Sequence, residues 1–189
     1  MKRISIKIDP MDKRLAEIIS IYKRYYKQNA DGCISYTKQQ KNLVAAIYAA
    51  AISRDANNKK HSHQYRLPDE VLEQWSDTLI RNSNRITKAG DFDSLLKLLT
   101  ELTIPGIGKL TLYDTATRLG AYLNLHPKII YLHAGTKVGA IKLLGKVAGD
   151  AITKEMLPKP FQRKDLACWE IEDICRLPRS SASQVRVNE

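Results

Sequence analysis

Two glycines one residue apart, Gly106 and Gly108, stand in the stretch Leu102-Thr103-Ile104-Pro105-Gly106-Ile107-Gly108-Lys109-Leu110-Thr111. Glycine reaches backbone angles closed to other residues and leaves its N–H groups bare. A helix that starts just beyond would add unpaired N–H donors and a partial positive charge. Lys109 lies beside that concavity. Together these residues can seat a phosphate without reading any base. Ile104 and Ile107 would anchor the turn to a core. The same residues would also serve an ordinary helix–turn–helix corner stiffened by Pro-Gly.

Other residues could do chemistry as well. The segment Asp55–Leu67 carries Lys59, Lys60, His61, His63 and Arg66 against a single acid, Asp55. Its cations Lys59, Lys60 and Arg66 suit a phosphate backbone, and Tyr65 is its candidate stacking or wedging group. Residues 115–149 hold no acid, yet include Arg118, Lys128, Lys137, Lys142 and Lys146. That window suits an anion-binding face, with Lys137 as a contact. Tyr131 and His133 are the candidate catalytic pair, the imidazole being able to act as a base near neutral pH. His61-x-His63 is half a metal site, but zinc needs further ligands and no Cys or His pair has the partner spacing. Cys168 and Cys175 cannot hold an iron–sulfur cluster, which needs four thiolates. No metal and no cofactor are expected.

The elements that must position these residues are helices. Apolar residues recur at three and four from Leu15 to Tyr26. Asn29-Ala-Asp-Gly32 reads as a turn, and Thr37-Lys-Gln-Gln40 as a capping box before Leu43–Ile52. That Ala-rich run is apolar on nearly all sides and reads as a central buried helix. Pro68 starts another helix, Asp91 or Asp93 caps the next, and Thr111-x-x-Asp114 opens the one that follows the glycines. Thr136 and Asp165 begin two more. Tyr25, Tyr26 and Tyr48 fall at core spacing. Ile4, Ile6 and Ile8 alternate like a strand too short to found a sheet. The expectation is all-α: one compact multi-helix domain over 1–179, a polar tail over 180–189, and the turn at about 103–111 between two helices.

Composition narrows the class. The 189 residues carry 31 Lys and Arg against 20 Asp and Glu, a net charge of +11. The excess is uneven: residues 67–102 have a net of −3, so that block is expected to face away from phosphates. A pI near 9.6 makes a polyanion the default partner. No run of 18 apolar residues exists, so no membrane partner is expected. Three scattered cysteines suit a reducing compartment, and the expected location is cytoplasmic.

The stretch Ile104-Pro105-Gly106-Ile107-Gly108-Lys109-Leu110-Thr111 resembles the helix-hairpin-helix motif. Its surroundings, about residues 37–140, resemble the helix-hairpin-helix DNA glycosylases of the endonuclease III-like superfamily. The resemblance implies a hairpin that holds the DNA backbone through Gly106, Gly108, Lys109 and Thr111, and Ile107 between the glycines is expected at the same contact. It also implies two catalytic residues that are missing here. The Schiff-base lysine position is Leu110. The segment that should bring an activating Asp is Pro127-Lys-Ile-Ile-Tyr-Leu-His-Ala-Gly135, which has no carboxylate. The leading reading is therefore a protein that grips double-stranded DNA, damaged or modified bases included, in repair or processing. Two others stay open: a divergent monofunctional glycosylase with a non-standard site around Tyr131 and His133, and an RNA-binding or protein-interaction module.

Overall fold

A computed structural model describes residues 9–26 and 32–177; of Tyr26 and Ala134 it describes the backbone only. The expected strand at 4–8, the turn at 29–31 and the tail at 180–189 lie outside the described residues. In chain order the elements are α1 (Pro10–Ile21) running into a π-turn (Tyr22–Tyr26), α2 (Gly32–Lys38), α3 (Leu43–Ile52), α4 (Asp69–Arg81), α5 (Ser83–Thr87), α6 (Phe92–Glu101), α7 (Lys109–Leu123), β1 (Ile130–Tyr131), α8 (Ala134–Leu144), β2 (Ala151–Ile152) and α9 (Cys168–Arg176). Short 3₁₀ turns fill Ser62–Gln64, Lys154–Met156 and Lys159–Gln162. The described protein is mostly helical. Its two strands pair antiparallel, Ile130 with Ile152 and Tyr131 with Ala151. None of its helices is long and apolar enough to cross a membrane.

Local chemistry explains most helix starts. Asp9 accepts from Met11 N at 2.8 Å ahead of Pro10, whose missing N–H costs nothing at a first turn. Asp91 and Ser94 cap α6 reciprocally, at 2.8 and 3.1 Å. Other starts differ from the sequence expectation. Asn42, not Thr37, caps α3, accepting from Ala45 N at 2.9 Å; Thr37 is buried inside α2, a helix that the turn and capping signals of the sequence do not reveal. Gly108, not Thr111, is the N-cap of α7, and no side chain closes that end. Helix α8 begins at Ala134 behind His133, two residues before Thr136, which is buried. Asp165 does not start α9. It is held by Lys23 at 2.5 Å and Arg163 at 2.8 Å, and these partners keep its carboxyl well below the ordinary range.

The residues group into two compact units, whereas length and periodicity suggested one body. The first joins residues 9–26 to 128–177. Helix α1 has too few apolar residues to bury alone, and its stripe of Leu15, Ile19 and Tyr22 shares a core with Ile130, Phe161, Leu166 and Ile171. The buried Tyr22 hydroxyl donates to Asp173 at 2.9 Å. The second unit spans 32–127 and contains both α6 and α7 and the basic loop. Its core includes Ile47, Trp75, Leu79, Leu95, Leu99 and Leu119. Helix α3 runs through it, packed on α2, α4 and α7 with Ala46, Ala49, Ala50 and Ala51 buried. One side of α3 is nonetheless open. Val44 and Tyr48 are exposed, and Tyr48 donates to Glu73 at 3.0 Å. Tyr25 is exposed too, so neither tyrosine is core.

Candidate nucleic-acid interface

The turn between α6 and α7 is built from backbone and two apolar anchors. Ile107 is buried and Ile104 half-buried, and Ile107 N closes the turn on Ile104 O at 3.1 Å. The two glycines do different work. Gly106 sits at φ +92, and a Cβ there would also stand 2.9 Å from Val71 Cγ1. The fold itself demands glycine at that position. Gly108 has an ordinary φ of −89, and a Cβ there would meet nothing within 4 Å. Gly108 and Lys109 are exposed at the start of a 15-residue helix. Of the expected hairpin contacts, Ile107 is buried under the turn and Thr111 in the first turn of α7, so neither side chain faces outward.

The basic loop is more ordered than its composition suggests. Arg54, just before it, bridges to Lys60 in its middle, and His61 precedes the 3₁₀ turn Ser62–Gln64. Beneath it lies a buried polar network. Arg118, with no exposed surface, donates to Ser53 Oγ at 2.7 Å, Ala50 O at 3.3 Å and Gln64 Oε1 at 3.2 Å. Gln64 Nε2 donates to Asp114 Oδ2 at 2.8 Å, and His63 Nδ1 lies 2.9 Å from the same oxygen. Burial alone would raise the Asp114 pKa. The His63 bond, the Arg118 charge and the Gln64 bond prevail and hold it below the ordinary value. His61, His63 and Asp114 each offer a ligand atom, all within 4.8 Å of one another.

The loop's expected contacts separate into two groups. Lys59, Arg66 and Tyr65 are exposed, Tyr65 by 75%. They line a cleft of about 590 Å³ with Lys60, Ser62 and His63. Lys60, by contrast, is engaged by Asp69 at 2.7 Å and Leu67 O at 2.6 Å. Asp69 also takes Arg54 at 2.9 Å, and the Lys60 bond first of all pulls its pKa down. One acid of the 67–102 block therefore turns toward the basic loop instead of away from it.

The remaining candidates belong to the other unit. The Tyr131 and His133 rings stack, with centroids 6.4 Å apart and planes 11° from parallel. Tyr131 N donates to the buried Glu172 of α9 at 2.8 Å. Lys137 is half-buried, 3.3 Å from Gly149 O and 3.8 Å from Asp150. Cys168 is buried at the start of α9, and burial pushes the Cys175 thiol up to about 12.

Sequence reasoning missed Arg118 and Asp114. Composition places Arg118 with the surface charge of the acid-free window. Its i,i+4 relation to Asp114, the sole acid between Glu101 and Asp150, was the available signal. Set against known proteins, the chain matches no family model, no curated protein and no solved structure.

Proposed function

We propose that this protein binds duplex DNA along its phosphate backbone, in repair or processing, with the 103–109 turn as the grip and the exposed face of the 55–67 loop as a second contact. The observation that carries the reading is Gly108. Among the described residues nothing requires glycine there, since its φ is ordinary and a Cβ would meet no atom within 4 Å. A missing side chain at an uncapped, exposed helix start leaves room for an external acceptor to approach the backbone, and the helix end favours an anion. Helix α7 also joins the two contacts. The turn leads into its first residue, and Asp114 and Arg118 hold the loop one and two turns later. Lys109, Lys59 and Arg66 then supply charge that attracts phosphate whatever the base sequence. The resemblance of the turn to a helix-hairpin-helix is what selects DNA among polyanions.

Fluorescence anisotropy with an unmodified duplex, repeated across salt concentrations, tests this. Four to six neutralised phosphates give a slope of log affinity against log salt of about −4 to −5. A slope near zero refutes the reading. The glycosylase reading has one supporting observation, the buried Glu172 bonded to the Tyr131 backbone, which brings a carboxylate to a segment that has none in sequence. Incubation with a panel of lesion-bearing duplexes followed by hot alkali decides it: strand cleavage at one lesion establishes an enzyme.

A further inference from the structure

We propose that His61, His63 and Asp114 form a binding site for a divalent first-row transition ion, with Zn²⁺ as the representative, whose open coordination positions face the cationic cleft and accept a phosphate oxygen. Two imidazoles and a carboxylate suit such an ion better than Mg²⁺ or Ca²⁺, which favour all-oxygen cages. Bonds of about 2.1 Å to a tetrahedral ion place donors roughly 3.4 Å apart. The three ligand atoms already lie within 4.8 Å of one another, so modest side-chain rotation gathers them. His63 and Asp114 approach to 2.9 Å, and the ion would replace the proton they share.

The surroundings are those of a built site. Asp114 is only 12% exposed at its side chain, and Gln64, itself fully buried, fixes its carboxylate. Arg118 in turn holds Gln64 and Ser53. Orienting partners of this kind are what keep metal ligands in place. Three protein ligands leave at least one position open, the pattern of sites that take water or an exogenous ligand. His63 forms part of the cleft wall with Lys59, Lys60 and Arg66. Those cations disfavour a bare metal ion but complement a metal already carrying an anion. Lys60 is offset by Asp69; Lys59 and Arg66 remain to meet the other phosphate oxygens.

The test uses the full chain, stripped with EDTA, and needs no DNA, so its failure leaves backbone binding standing and the reverse also holds. Zn²⁺ is titrated against a chromophoric chelator, and Co²⁺ is followed by visible absorption. The expected result is one equivalent bound at micromolar Kd or tighter. Affinity falls at least tenfold in His61→Ala, His63→Ala and Asp114→Asn, and is unchanged in His126→Ala, an exposed histidine outside the cluster. Circular dichroism checks each variant, and His63→Ala, whose side chain is the most exposed of the three, decides the matter if Asp114→Asn unfolds. Diethyl phosphate should shift the Co²⁺ spectrum, and Lys59→Ala with Arg66→Ala should abolish that shift while leaving metal affinity intact. Absence of stoichiometric binding, or wild-type affinity in His63→Ala, overturns the site. Metal binding with a spectrum indifferent to diethyl phosphate overturns the open position.

Discussion

The turn at 103–108 and the loop at 55–67 both offer exposed polar groups on the same unit, but they are built in opposite ways. The turn is a backbone device: two glycines, a proline and two isoleucine anchors hold it. The loop is held by Arg118 and Gln64, both fully buried, and by the half-buried Asp114. A backbone device tolerates change wherever the φ is ordinary. A buried polar network tolerates little, because each group left without a partner costs its full desolvation. The difference teaches that the loop should fail through stability and the turn through binding.

The largest expected effect tests that contrast directly. Arg118→Met leaves Gln64 and Ser53 short of donors and Asp114 without its compensating charge. Thermal unfolding should show a loss of about 3–5 kcal/mol, with the loop's affinity for DNA lost alongside. A loss under about 1 kcal/mol would mean the network is not what shapes the loop.

The two glycines come next. Gly106→Ala should cost about 1–2 kcal/mol, since φ +92 strains an L side chain and the Cβ presses on Val71. Gly108→Val should cost no more than about 1 kcal/mol, the scale of an N-cap change, yet weaken binding to every duplex by about tenfold or more. Calorimetry and anisotropy on the same samples separate the two. Unchanged affinity in a folded Gly108→Val protein removes the turn from the interface.

Within the loop, the lysines should not be equivalent. Lys59→Ala should reduce the salt slope by about 1, as expected for one lost phosphate contact. Lys60→Ala should reduce it less, because Asp69 and Leu67 already hold that ammonium. Equal changes in salt titrations would show that the Lys60–Asp69 pair opens on binding.

The smallest effect is in pH. Asp114 titrates below its ordinary value when folded, so its contribution to stability is present above the ordinary carboxyl range and is lost as pH falls through the native value. The stability gap between wild type and Asp114→Asn should therefore narrow as urea denaturation is moved from pH 6 to below about pH 4. A gap that widens toward acid would reverse the assignment of Asp114 as an ionised partner.

The sequence by itself determined the helical class, because three-and-four periodicity is a local property of the chain. It determined the turn, because proline and glycine act on their own backbone angles, and it narrowed the cap of α6 to Asp91 or Asp93, of which the structure uses Asp91 with Ser94. Lys59, Arg66 and Tyr65 are exposed as loop composition predicts, but the same composition does not tell them from Gln64, which is buried, or Lys60, which is tied down. Tertiary structure alone decided the rest. It buried Arg118 and brought Asp114 to His63 across 51 positions, since only packing α7 against the end of α3 creates a dry space that a cation must fill with partners. It also paired Lys60 with Asp69, and it assembled α1 with residues 128–177. A two-residue strand pair and a shared core rest on contacts between distant segments, and no local pattern encodes those.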